Sequence, residues 1–362
     1  MSWSLLLFNS DPSACFGDKE TSSLPTGVPA MATQILFCPN PFQRNQLKYF
    51  SRKTIPTYLF RLVAPRTAGR TSMSTVTSKA TMDPECSNHP DDIFRHSQID
   101  GAALVYAHLY WRCDERCNFM SWTSSLLFAL HYGLYRHKTD RDGPDLSEIF
   151  LYILDTSDFP DGTFVKDLDI LEAFKGESQD VRKLLGMRRG DNGQPRFYFG
   201  EYLTQGRLEI EGRCARVSLQ QLIDLGLFEL HPGLENQKGW ALLVRRVLEL
   251  RTNFANLPAT TCSEVRKAIT IAQCCVGDRW AVPFSAMLLA LRPRSRDDHA
   301  KIEAAYSAMF AADEILVQDI QIDPEGLPEV KRFGELINAI NHKFNNSDIN
   351  ILLNPFLRLA FE

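Results

Sequence analysis

Hydrophobic spacing changes period near residue 236, and that change constrains the fold more than any other feature. Before it, apolar residues come in short β-type runs. These are TYLFRLV at 57–63, NFMSW at 118–122, SEIFLYILDTS at 147–157 and RFYFGEYLTQGRLEIEG at 196–212. Aromatic and β-branched residues dominate them, as half-buried strands require. Helix-period stretches lie between: IDGAALVYAHLYWRC at 99–113, SSLLFALHYGLYRH at 124–137, LDILEAF at 168–174 and SLQQLIDLG at 218–226. Beyond 236 the apolar runs, among them GWALLVRRVLELRTNF and AVPFSAMLLALR, carry helical spacing. The pattern predicts an α+β chain, with a sheet domain over 55–235 and a helical region over 236–362. Residues 1–54 lack periodicity and are rich in Ser, Pro, Thr, Asn and Gln, which predicts a disordered leader. Residues 64–92 read as a long polar loop.

The chain has 362 residues, 44% of them hydrophobic, enough for one large or two medium cores. A net charge of −4 implies no basic face, so nucleic acid is not an expected partner. The nine cysteines are odd in number and irregularly spaced. Cys113 and Cys117 form the one close non-adjacent pair, and no second pair completes a zinc site. Free thiols in a reducing compartment, and no metal, are the expectation. No run approaches the roughly 20 apolar residues that span a bilayer, and the first residues lack a basic segment. Cytoplasmic or nuclear residence, without a membrane partner, is expected.

Three segments concentrate reactive residue types. Arg61 sits inside an apolar strand; it either snorkels from an edge or presents a guanidinium fork to a phosphate or carboxylate. FMSWTSS places hydroxyls directly before a buried helix. Ser124 or Thr123 can cap that helix, but capping leaves Ser121 unexplained. Ser121 lies one strand period before Thr123, on the same face. Glu201, in GEYLTQGRL, is either a surface carboxylate or a stabiliser of positive charge on a sugar. Trp122, Tyr198 and Phe199 can stack on a flat cation or simply pack, and His131 reads as a helix residue facing the core or a polar neighbour. DHAKIEAAYSAMFAADEILVQDI at 298–320 reads as core, with a docking helix as the alternative.

Taken in order, YLFRLVAP, FMSWTSS and GEYLTQGRL resemble the ADP-ribosyltransferase superfamily, in its Arg–Ser–Glu, cholera-toxin-like branch. MSWTSSLLFALHYG, YILDTS and GEYLTQGRLEIEGRC further resemble an uncharacterised fungal family with that fold. The resemblance covers about residues 57–232. It implies an ADP-ribosyltransferase-like split mixed sheet with flanking helices, and NAD as the substrate cleaved at its nicotinamide–ribose bond. Glu201 would be the catalytic glutamate, Ser121 would orient it and Arg61 would clamp the diphosphate. Thr123, Tyr198 and Phe199 would complete the NAD site. The acceptor, protein or small molecule, is left open. Val63 stands where the toxins carry an acid, and Trp122 interrupts the Ser-Thr-Ser step. Phe199 stands where arginine-modifying members carry Glu or Gln, which argues against arginine as acceptor. Glu209 and Glu211 form a rival Glu-x-Glu, but Gly206 and Leu208 favour Glu201. The second expectation is a binding or scaffold protein with the fold and without the activity.

Overall fold

The computed structural model describes residues 34–82, 91–176, 178–190, 197–252, 259–295, 298–310 and 320–342. Among the described residues nine strands form two sheets: β1 Tyr58–Val63, β2 Arg70–Thr71, β3 Thr75–Thr77, β4 Phe119–Thr123, β5 Phe150–Asp155, β6 Val165–Lys166, β7 Glu201–Gln205, β8 Arg207–Glu209 and β9 Cys214–Ser218. The larger sheet runs β6-β7-β4-β1-β5-β9 and the smaller β2-β3-β8. The α+β class is as the sequence predicts. The ladders differ, because every one among the described residues is antiparallel rather than mixed. The helix Leu126–Thr139 carries the chain from β4 to β5, and those strands run parallel. β1 lies between them, antiparallel to both, so no parallel ladder forms.

β1 pairs with β5 along six residues but with β4 only at Phe60↔Thr123. The large sheet is thus two three-stranded halves joined at one registered pair, and the opening beside it receives Arg61. Strand alternation sorts the rest of β1 and β5 to two faces. Phe60, Leu62, Leu151 and Ile153 face one core, while Leu59, Tyr152 and Leu154 face another with Val76 and Leu208 of the small sheet.

The first of those cores crosses the predicted boundary at 235. Phe60, Leu127, Ile153 and Val217 share it with Val247, Ile269, Phe284 and Ile337. The helices Leu243–Thr252, Cys262–Val276 and Asp278–Ala290, and the helix at 328–342, therefore build on the sheet rather than on a core of their own. In the docking-helix segment, His299–Met309 is helical and buries Ile302 and Tyr306, the core reading; 311–319 lie outside the described residues.

Two buried polar clamps fix this packing. Lys166 Nζ meets Asp323 at 2.7 Å with both side chains fully buried. Tyr198 Oη and Ser124 Oγ donate to the same carboxylate. Tyr49, Tyr198 and Tyr202 surround the ammonium at 4.8, 5.0 and 5.9 Å, where ring faces favour a cation. Arg251 pairs with Glu329 at 2.7 Å and donates to the Tyr198 carbonyl, and Ser125 Oγ donates to Glu329.

The hydroxyl run thereby resolves into separate tasks. Ser125, not Ser124 or Thr123, caps the helix, accepting from Phe128 N at 3.0 Å. The expected leader lies outside the described residues up to 33, but from Gln34 onward the chain packs. Phe37, Leu47 and Phe50 are buried, and Ile35 bridges Gln205 of β7. The apolar anchors in an otherwise polar segment are what hold it. The polar 64–92 segment likewise contains β2 and β3, which pair through β3 with β8; residues 83–90 lie outside the described part.

Candidate active site

Glu201 enters β7 directly after Gly200, whose φ of +72° is the left-handed turn that glycine adopts freely. A Cβ there would stand 2.1 Å from Ser124 Oγ, so the turn also demands a bare backbone. Register pairs Thr123 with Glu201 and Ser121 with Leu203, which sets Ser121 diagonally opposite Glu201 on one face. Ser121 Oγ donates to Glu201 Oε1 at 2.8 Å, and Arg188 Nη2 donates to Oε2 at 2.9 Å. Arg188 comes from the helix Gln179–Arg189 and also pairs with buried Asp167 at 2.5 Å. Burial pushes the Asp167 carboxyl up to about 7; the Arg188 charge opposes this and the Glu201 charge adds to it. The Glu201 side chain is 14% exposed, so the site is narrow but not sealed.

Behind Ser121 stands His108, near the end of the helix Gln98–Leu109. Its Nε2 lies 2.8 Å from Ser121 Oγ. Because that hydroxyl donates to Glu201, His108 must donate to the hydroxyl. Its other nitrogen, Nδ1, lies 3.1 Å from Cys117 Sγ and 3.3 Å from Cys113 Sγ. The hydrogen bond from Cys113 draws the Cys117 thiol down to about 4, against burial and with help from His108. Burial is the largest influence and lowers the His108 pKa, but the Cys117 charge, its hydrogen bond and the Glu201 charge together outweigh it, and the net direction is upward.

Arg61 is 6% exposed and does not extend into bulk water. Its Nη1 donates to the Ser121 carbonyl at 2.9 Å, its Nε to Thr71 Oγ1 at 3.3 Å and its Nη2 to the Ala68 carbonyl at 3.5 Å. The guanidinium also lies 6.0 Å from the Trp122 ring. Among the described residues no carboxylate is within ion-pair distance of it. Burial accordingly pulls its pKa down to about 10. A buried cation held only by neutral acceptors is poised for an anion.

The structure brings Arg61, Ser121 and Glu201 together and leaves the other predicted residues out. Thr123 Oγ1 donates to the Phe199 carbonyl at 2.6 Å and accepts from Ser125 N, a strand-to-helix brace. Tyr198 is fully buried in the Lys166–Asp323 clamp, with no free ring face. Phe199 is stacked on Phe128 at 4.8 Å, with Arg251 on its ring. Neither aromatic can stack on nicotinamide in this arrangement, because core packing already covers it. Trp122 is buried and donates to Thr204 Oγ1. Glu209 is exposed and paired with Arg207, and Glu211 is exposed in a turn, so neither rivals Glu201. His131 is a buried helix residue, as the spacing predicts.

Sequence reasoning misses Arg188, Asp167 and His108. Arg188 had a legible signal: Ser178 caps a helix-period run that Gly190 ends. His108 had a weaker one, its spacing of five and nine residues before Cys113 and Cys117.

All of these residues lie in one stretch of sequence similarity. No curated protein and no solved structure matches the chain. Residues 54–211 match a family described as a domain of unknown function, DUF7587, and that span holds Arg61, His108, Ser121, Arg188 and Glu201 together.

Proposed function

We propose that the chain cleaves the nicotinamide–ribose bond of NAD, as an ADP-ribosyltransferase or NAD glycohydrolase. One observation carries this reading: Ser121 touches Arg61 through its carbonyl and Glu201 through its hydroxyl. A cation without a carboxylate partner and an oriented carboxylate are thus separated by a single residue. Bond cleavage sends the electron pair to the cationic nicotinamide ring, which leaves neutral, and positive charge grows on the ribose. Glu201 stabilises that charge, as a preorganised carboxylate does in glycoside hydrolysis. The water or acceptor nucleophile then bonds to the ribose carbon and loses its proton. Arg61 fixes the diphosphate once Thr71 and Ala68 give way to phosphate oxygens.

A second reading, a binding module with this site and no turnover, is favoured by Arg188. It occupies Glu201 Oε2, the oxygen not held by Ser121. Calorimetric titration of NAD into the Glu201→Gln chain, which cannot complicate the signal with turnover, tests the binding step common to both. Heat of binding that vanishes on adding Arg61→Met supports an NAD site. Equal heat with and without Arg61 rejects the assignment of Arg61, and no heat in either chain rejects NAD as ligand.

A further inference from the structure

We propose that His108, Cys113 and Cys117 bind a zinc ion through Nδ1 and the two Sγ atoms. The three ligand atoms all lie within 4.8 Å of one another. The imidazole-to-sulfur separations are 3.1 and 3.3 Å. A tetrahedral zinc, with bonds of about 2.0–2.1 Å to nitrogen and 2.3 Å to sulfur, sets such atoms about 3.5 Å apart. The two imidazole–sulfur separations therefore need to open by only a few tenths of an ångström. Two thiolates and an imidazole select zinc over the hard oxygen-seeking cations. Cys117 is buried and Cys113 half-buried, so the fourth position opens on the Cys113 side, where water completes the shell.

The backbone is shaped to bring these atoms together. The helix carrying His108 ends with Trp111 N donating to the His108 carbonyl and Arg112 N to the Ala107 carbonyl. This is the paired-bond helix stop that normally uses glycine, yet Trp111 holds the left-handed turn at φ 60°. A bulky residue in that conformation is strained, and such strain gathers at functional sites. The turn folds the chain back so that Cys113 returns to His108. Cys117 N donates to the Asp114 carbonyl, and Ala80 N to the Cys117 carbonyl, which pins the second sulfur.

The far side of His108 has a hydrogen-bond partner that fixes its tautomer, as metal-bound histidines do. Nε2 faces Ser121 Oγ at 2.8 Å. Zinc on Nδ1 leaves the proton on Nε2, the tautomer that lets Ser121 donate to Glu201. The metal site thus positions the Ser121–Glu201 pair, and it stands whether or not the chain cleaves NAD.

The test uses the full chain, reduced and kept anaerobic. Cobalt(II) added to the metal-free protein should give thiolate charge-transfer absorption at one equivalent, lost on adding zinc. Protein purified from zinc-containing medium should hold about one zinc per chain, and Cys113→Ser and His108→Ala should each lose at least tenfold in affinity. Absence of the cobalt band in the unaltered chain overturns the proposal, and so does a band that survives Cys113→Ser with Cys117→Ser. Because the unaltered chain gives the first result, a variant that misfolds does not obscure it.

Discussion

Ser121 and Glu201 meet diagonally across the β4–β7 ladder, hydroxyl to Oε1 at 2.8 Å, while the Ser121 carbonyl accepts from Arg61 at 2.9 Å. One strand residue thereby ties the carboxylate to the cation. Ser121→Ala removes the donor on Oε1 and leaves Arg188 alone holding Glu201. The expected result is a kcat for nicotinamide release lowered about 10- to 100-fold with little change in KM, the signature of lost orientation. Stability should fall by about 1–2 kcal/mol for the lost hydrogen bonds. Steady-state kinetics beside urea unfolding checks both, and a rise in KM alone contradicts the positioning role.

Arg61 should show function and stability parting company. A buried cation without a counter-charge is costly to fold, and Met restores a similar apolar volume. Arg61→Met is expected to stay within about 1 kcal/mol of the parent in stability, because relief from burying the charge offsets the lost bonds to Ser121, Thr71 and Ala68. NAD binding should be lost. Chemical denaturation and calorimetry on the same preparation measure both sides.

The Arg251–Glu329 clamp makes a contrasting prediction. Both side chains are buried, at 7% and 3% exposure, and Ser125 adds a bond to the carboxylate. Glu329→Ala leaves Arg251 buried and unpaired, with an expected loss of about 3–5 kcal/mol. Arg245→Ala, which breaks an exposed pair with Glu249, should change stability by less than about 1 kcal/mol. Urea midpoints of the two variants decide whether the helical region and the sheet share one cooperative unit.

Acid stability should depend on two buried histidines. Burial pushes His131 and His231 down to about 4, with nearby arginines adding to the effect. Neither nitrogen of His131 and not Nδ1 of His231 has a hydrogen-bond partner among the described residues. The unfolded chain binds protons on these rings below about pH 6.5 while the folded chain does not until about pH 4. The contribution of the two neutral rings is therefore full above about pH 6.5 and falls between 6.5 and 4, by up to about 3 kcal/mol for each ring. Asp167 works in the opposite sense: its raised carboxyl favours the folded state at low pH, and that contribution fades as pH rises through about 7. His131→Leu should flatten the acid limb of a stability–pH curve by about one proton. An unchanged slope contradicts the burial of a neutral ring.

Local patterns carried much of this architecture. β1, β4, β5 and β7 and the helices Leu126–Thr139 and Asp167–Phe174 arise where strand alternation or helical spacing predicts them, within a few residues. Arg61, Ser121 and Glu201 were legible because each is a polar exception inside an apolar run. Tertiary pairing was not legible. Ser124 and Ser125 bond carboxylates about 200 residues away, Asp323 and Glu329, and no local spacing announces that. The same distance effect hides Tyr198 and Phe199, which look free to stack until Lys166 and Phe128 take their faces. The 236–362 helices read as a separate unit for a related reason: helical period shows which face is apolar, not that β1 and β5 lie under it.

NAD cleavage at Glu201 is decided by nicotinamide release from NAD by the full chain, run beside Glu201→Gln. Release by the unaltered chain should fall about 100-fold or more in the variant, the scale of losing one preorganised electrostatic group. Release that is equal in both chains, or absent from the unaltered chain, contradicts it.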